Sequence, residues 1–328
     1  MIAAFPQCPL SNFKPLPLLS NPHIQTLLGH LLRGPSVKLP TRRHALWLPD
    51  GDGLMLHDTV PPGWLPGGPI AVLVHGLAGS HASPGMQRLG VFLLEQGARV
   101  VRLDQRGAGA GLPLARRCYH AGRSEDLREV LAEVHRWSPT SALLLAGVSL
   151  GANVSLKLAG EAVEHPVPGL TRVGVISPPI DLERCSVMLA HRRNRIYEGH
   201  FVGELMADAQ RRQRFFPDLP PLRFPRRVTV RLFDDLYTAP RAGFSDSAEY
   251  YHRASSAPLI GRIALPTLIL TARDDPFIAV EPFEELTPPP NVTLRILPHG
   301  GHVGFLGCDG SGGFRWAERR LVEWLMQK

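Results

Sequence analysis

The 328-residue chain has no long apolar run. A transmembrane helix needs roughly 18 to 20 such residues in a row, and no segment approaches that length. The N-terminal MIAAFPQCPLSNFKPLPLL also lacks the charged start and apolar centre of a secretory signal. Cysteine is almost as scarce: Cys8, Cys118, Cys185 and Cys308 are scattered, without a Cys-x-x-Cys pair. That spacing argues against a disulfide framework or a zinc site and fits a reducing, cytoplasmic setting. A Walker A motif, a Gly-x-Gly-x-x-Gly after the first strand and a His-Glu-x-x-His pair are missing too, so neither cofactor nor metal is expected.

Lysine is rare. Lys14, Lys38, Lys157 and Lys328 are the only four, so arginine carries most of the positive charge behind the net +7. Arginines gather at Arg192, Arg193 and Arg195, at Arg211, Arg212 and Arg214, and at Arg223, Arg226 and Arg227. No helix-turn-helix, zinc finger or RNA-binding aromatic motif accompanies them, so nucleic acid is not expected as a partner. They read as a solvated surface, with room for peripheral contact with anionic lipid.

What is present is patterned. With 44% apolar and 20% charged residues, the chain has material for a large core. Residues 1–40, rich in proline and short apolar groups, read as an irregular N-terminal arm. Strand-like segments follow at 44–48, 54–60 and 70–75. Helical spacing of Leu89, Phe92 and Leu93 over 85–97 leads into a strand at 99–103, and 124–137 reads as a helix with Ser124 as its N-cap. ALLLAG (142–147) is a strand, 150–165 a helix and 172–177 a further strand. Strands at 267–272 and 292–298 and a closing helix from Phe314 come after a long interruption. Strands alternating with helices predict an α/β fold, a mainly parallel sheet covered on both faces. The interruption is too long for a simple crossover, so residues 179–262 are expected to form an inserted helical cap over a core built from 41–178 and 263–328.

Chemistry in such sheets gathers at the carboxyl ends of the strands. There the sequence reads AGVSLG, with Ser149 between Gly147 and Gly151. A serine held up on a sharp strand-to-helix turn needs almost no side-chain volume two residues to either side, and Gly-x-Ser-x-Gly between strand and helix meets that need. No other serine in the chain has this flanking. A base and an acid should follow in the order acid, then histidine. Asp274 and Asp275 lie just past one later strand, and His299 and His302 just past the next. An imidazole there would take the serine proton, and a carboxylate would fix its tautomer. Such a base must be neutral, so activity should rise between roughly pH 6 and 8. Of the two aspartates, Asp275 precedes Pro276, whose ring restricts the residue before it and would hold Asp275 extended. For the oxyanion, the turn in VLVHGLAGS should present the N–H of Leu77, and the N–H of Leu150 follows the nucleophile directly. Asp104 and Arg106, past the strand at 99–103, read as shaping a loop.

NPHIQT (21–26), HGLAGS (75–80), GVSLGAN (147–153), LYTAPRAGFSDSAEYY (236–251), ARDDPF (272–277) and GGHVGF (300–305) together resemble the α/β-hydrolase superfamily, and within it the YheT-like, ABHD-type esterases. These segments extend over nearly the whole chain. The resemblance implies the α/β-hydrolase fold, a catalytic triad of Ser149, Asp275 and His302, and hydrolysis of small-molecule carboxylic esters, either short or medium acyl esters or acylglycerols. The same triad would serve an acyltransferase or perhydrolase, and the scaffold can also carry a non-catalytic binding module. Spacing assigns no physical role to LYTAPRAGF or to NPHIQT, where His23 reads as structural, and it is silent on oligomeric state.

Overall fold

The computed structural model describes residues 13–327; Cys8 lies outside them. Eight strands form one sheet: β1 (Thr41–Trp47), β2 (Gly53–Thr59), β3 (Ile70–Val74), β4 (Arg99–Asp104), β5 (Leu143–Val148), β6 (Leu170–Ile176), β7 (Thr267–Ala272) and β8 (Val292–Leu297). Their spatial order is β1-β2-β4-β3-β5-β6-β7-β8. β2 pairs antiparallel with both β1 and β4, and every later pairing is parallel. The central strands β3, β5 and β7 are buried at every residue, as continuous Val/Ile/Leu runs demand of a sheet covered on both faces. β1, at the edge, is largely exposed.

Helices α2 (Pro84–Glu95) and α8 (Trp316–Leu325) share one apolar layer, in which Met86, Leu89, Trp316 and Leu321 meet Leu73 and Leu270 of the sheet. On the other face, α3 (Ser124–Trp137) and α4 (Leu150–Glu161) bring Leu127, Val130, Val154 and Leu156 against Val72 and Leu145. Between β6 and β7 the chain forms α5 (Leu182–Leu189), the 21-residue α6 (Arg195–Phe215), α7 (Ser247–Ala254) and shorter helical turns. This stretch has its own small apolar cluster around Ala209, Phe233 and Tyr237.

Four sequence expectations are corrected, the first being that Arg212 belongs to a solvated surface: its side chain is buried and donates to Tyr237 and to the Gly107 carbonyl. The arm over 1–40 is not irregular throughout, because residues 22–31 form α1 (Pro22–Leu31), with the Asn21 side chain accepting from the N–H groups of His23 and Ile24. Ser124 is not the N-cap of α3. Arg123 holds that position without a side-chain cap, while Glu125 and Asp126 in the first turn meet the positive end of the helix dipole. The helix expected over 150–165 ends at Glu161, ahead of Pro166, which disfavours helical geometry in the residue before it.

Candidate active site

β5 ends against α4 at Ser149, whose φ of 53° and ψ of −123° put a non-glycine residue in a sparsely populated region. The neighbouring glycines permit the turn. A Cβ on Gly147 would sit 2.6 Å from the Gly151 carbonyl and the Ser155 hydroxyl, and one on Gly151 would lie 2.4 Å from the His75 carbonyl. The Ser149 N–H is held by the Ile176 carbonyl of β6 at 2.9 Å.

The loop after β8 carries His302 to this hydroxyl. Its Nε2 lies 2.9 Å from Ser149 Oγ, and its Nδ1 lies 2.8 Å from Asp275 Oδ2. A carboxylate only accepts, so Nδ1–H donates to Asp275 and Nε2 is left to accept from the serine. Asp275 is 1% exposed, and its other oxygen accepts from the N–H groups of Phe277 (3.1 Å) and Ile278 (3.0 Å). The Phe277 ring also packs on the imidazole, with centroids 4.2 Å apart. Asp274 turns the other way. It accepts from the Gly301 N–H at 2.9 Å and pairs with His299 Nδ1 at 3.2 Å, joining the loops after β7 and β8. Its sequence neighbour Arg273 pairs with Glu284.

The histidine loop is strained and held from outside. Gly301, Val303 and Phe305 all have positive φ. Thr26 Oγ accepts from the His302 N–H at 2.9 Å, and Ser177 Oγ accepts from the Val303 N–H at 3.2 Å. The fully buried Gln25 accepts from the Leu306 N–H and donates to the carbonyls of Leu306 and Leu19. Gly29 packs so closely that an added Cβ would lie 2.8 Å from Gly304 Cα. NPHIQT therefore belongs to the helix that clamps this loop. Its His23 stacks on Tyr197 and hydrogen-bonds it at 3.1 Å.

On the other side of Ser149, the turn after β3 passes so close that a Cβ on Gly76 would meet Ser149 Cβ at 3.0 Å. His75 stiffens this turn: its Nδ1–H donates to the Gly76 carbonyl at 2.8 Å, and its Nε2 accepts from the Gln105 N–H at 3.2 Å. Burial holds its pKa below the ordinary histidine value, so the ring stays neutral. The Ala78 N–H is taken by Tyr119 Oη at 2.6 Å. The N–H groups of Leu77 and Leu150 find no acceptor among the described residues, and both residues line the cavity above Ser149.

Asp104 and Arg106 brace the adjoining loops. Asp104 accepts from His57 Nε2, from His81 through both ring and backbone, and from the Ala110 N–H. Burial alone would raise its pKa, but the His57 and His81 donors hold the carboxyl well below the ordinary range. The three side chains offer metal-ligand atoms within 4.8 Å of one another. The stacked rings direct His57 Nε2 and His81 Nδ1 at the same carboxylate oxygen, Asp104 Oδ2, each at 2.9 Å, so these atoms are joined by hydrogen bonds. Arg106 joins Asp50, Asp52 and Asp126 at 2.6 to 2.8 Å.

Residues 69–307 match the family model described as the alpha/beta hydrolase fold. The chain belongs to the α/β-hydrolase family. Within that family it falls in the YheT-like, ABHD-type branch. It is 35% identical to YheT of Escherichia coli, which carries the provisional name of an esterase, over 96% of this chain and 93% of that one. It is also 26% identical to the medium-chain fatty acid ethyl ester synthase/esterase 2 of Saccharomyces cerevisiae, over 78% of this chain but only 61% of the yeast protein. Among solved α/β-hydrolase structures, the esterase Pf2001 of Pyrococcus furiosus superposes with a TM-score of 0.57 over 99% of this chain and 97% of that one. At 16% identity that likeness speaks for the fold alone. No helix among the described residues is long and apolar enough to cross a membrane.

Proposed function

We propose that the chain is a serine hydrolase that cleaves carboxylic esters through an acyl-enzyme on Ser149, with His302 as base and acid and Asp275 as its orienting carboxylate. One observation carries the reading: the unbroken chain of contacts from Asp275 Oδ2 through both His302 nitrogens to Ser149 Oγ, at 2.8 and 2.9 Å. In the first half-reaction Oγ bonds to the ester carbonyl carbon while its proton passes to Nε2. The carbonyl electron pair moves onto oxygen, to be received by the N–H groups of Leu77 and Leu150; losing one such donor costs about 3 to 4 kcal/mol of transition-state stabilisation. Collapse breaks the bond to the alcohol oxygen, which takes the proton from Nε2. Water then repeats the sequence on the acyl-enzyme, and a carboxylic acid leaves. Names among the relatives support the substrate class: an esterase in Escherichia coli and a medium-chain fatty acid ester synthase/esterase in yeast. In this reading residues 179–262 act as a cap, contributing Leu182, Phe201, Leu205 and Phe233 to the walls above Ser149.

A fluorophosphonate probe should label the wild-type protein, and Ser149→Ala should abolish both the label and hydrolysis of p-nitrophenyl butyrate. Undiminished labelling of the alanine variant would remove Ser149 from the mechanism.

A further inference from the structure

Two cavities meet at Ser149. One, of about 120 Å³, runs under the segment between β6 and β7 and is walled by Leu182, Leu189, Leu205, Val230 and Phe233. The other, of about 440 Å³, extends between α1 and α6 past Thr26, His30, His200 and Glu204. Ser149, Leu77, Phe201 and Phe277 border both. His302 lines only the wide cavity, whereas Leu150 lines only the narrow one.

We infer that the cavities divide the substrate: the narrow one takes the acyl chain and the wide one the alcohol, so the enzyme selects by acyl length and tolerates varied alcohols. The inference rests on the ester-hydrolase reading above. The tetrahedral carbon carries Ser149 Oγ, the oxyanion, the acyl chain and the alcohol oxygen. When the carbon–alcohol bond breaks, the alcohol oxygen must receive the proton from His302 Nε2, so it has to lie on the histidine side. That side is the wide cavity. The acyl chain is left with the narrow, mostly apolar one.

A charged group in the lining of the narrow cavity explains why length should matter. Arg212 is 2% exposed and lines it, donating to Tyr237 Oη at 3.0 Å and to the Gly107 carbonyl at 2.9 Å. No carboxylate among the described residues lies within ion-pair distance of this guanidinium, and its Nε has no acceptor. An acyl terminus pressed against it would bury apolar carbon on an already desolvated charge, and that contact is unfavourable. The wide cavity also has a buried arginine in its lining, Arg88, but Glu318 pairs with it at 2.6 Å and compensates its charge. The polar side chains of this cavity include the exposed His30 and His200, so a bulky or hydroxylated alcohol can extend towards solvent.

The test uses two ester series: p-nitrophenyl esters from acetate to dodecanoate, and butyrate esters from methyl to benzyl and glyceryl. Wild-type kcat/KM should peak at a short or medium acyl chain and vary little with the alcohol. Replacing Leu205 with Trp should lower the octanoate-to-acetate ratio of kcat/KM by about tenfold or more, the scale of a filled pocket, and leave the benzyl-to-methyl ratio unchanged within about twofold. The enlarging change Leu205→Ala should move the acyl optimum to longer chains, and it carries the same test if the Trp variant fails to fold. Glu204→Trp, in the wide cavity, should alter the alcohol ratio and not the acyl ratio. The reverse pairing, or both ratios moving together in either variant, overturns the division. A wild-type protein inactive on every ester overturns the hydrolase reading itself, a result distinct from inverted selectivity.

Discussion

Asp274 and Asp275 stand side by side in the chain, yet their carboxylates are committed to different partners. Asp275 gives one oxygen to His302 Nδ1–H and the other to two backbone N–H groups. All its neighbours are donors, so an asparagine there must turn its NH₂ on one of them. Facing His302, it would favour the tautomer protonated on Nε2, which cannot accept from serine. Asp275→Asn should therefore lower kcat by about 10⁴-fold, as known for loss of a triad acid. Asp274→Asn keeps an oxygen for the Gly301 N–H and should cost far less. Steady-state kinetics on both folded variants decide it, and the reverse ranking would move the orienting role to Asp274. At this scale the sequence was informative because the chemistry constrains it. A serine on a sharp turn requires Gly147 and Gly151, and Pro276 limits the residue before it. The supports of the histidine loop, Thr26 and Ser177, were not readable, since a hydroxyl accepting one distant backbone N–H leaves no local pattern.

Among the elements, the strands were the most legible, because burial on both faces writes β3, β5 and β7 as uninterrupted apolar runs. α1 was missed despite its signal: Asn21 followed by Pro22 is an N-cap and first-turn proline. Its composition pointed elsewhere, since it buries Gln25, Thr26 and Gly29 in place of an apolar stripe. α6 was illegible for a related reason. Only Ala209 and Arg212 of its 21 residues are buried, so no apolar period marks it. The importance of α1 is testable. Gln25→Ala removes two buried hydrogen bonds to Leu306 and a part-buried one to Leu19, and leaves the Leu306 N–H and carbonyl without that partner. The loss should be about 2 to 3 kcal/mol, seen as a lower urea midpoint at unchanged slope. Activity should fall as well, because the same helix holds the His302 N–H. A midpoint equal to wild type would mean that α1 does not clamp the loop.

For the whole molecule, part of the dependence of stability on pH comes from groups that burial keeps uncharged. His57, His75 and His120 are all held below the ordinary histidine pKa, chiefly by desolvation. Below about pH 6.5 the unfolded chain takes up protons at these sites that the folded chain refuses, so acid should destabilise the fold through them. Asp234 acts in the opposite direction. It is buried, accepts from Tyr251 Oη at 2.7 Å, and desolvation pushes its pKa up to about 6. Between about pH 4 and pH 6 the folded state keeps a proton that the unfolded state releases, so this group subtracts stability as pH rises, by about 3 kcal/mol in total once above pH 6. Asp234→Asn offers the same acceptor to Tyr251 without a charge. The difference in Tm between variant and wild type should therefore grow in favour of the variant from pH 4 to pH 8, by several degrees, while the histidine contribution cancels in the comparison. If the two melting curves shift in parallel across that range, Asp234 is already ionised in the folded protein at pH 4 and burial does not govern it.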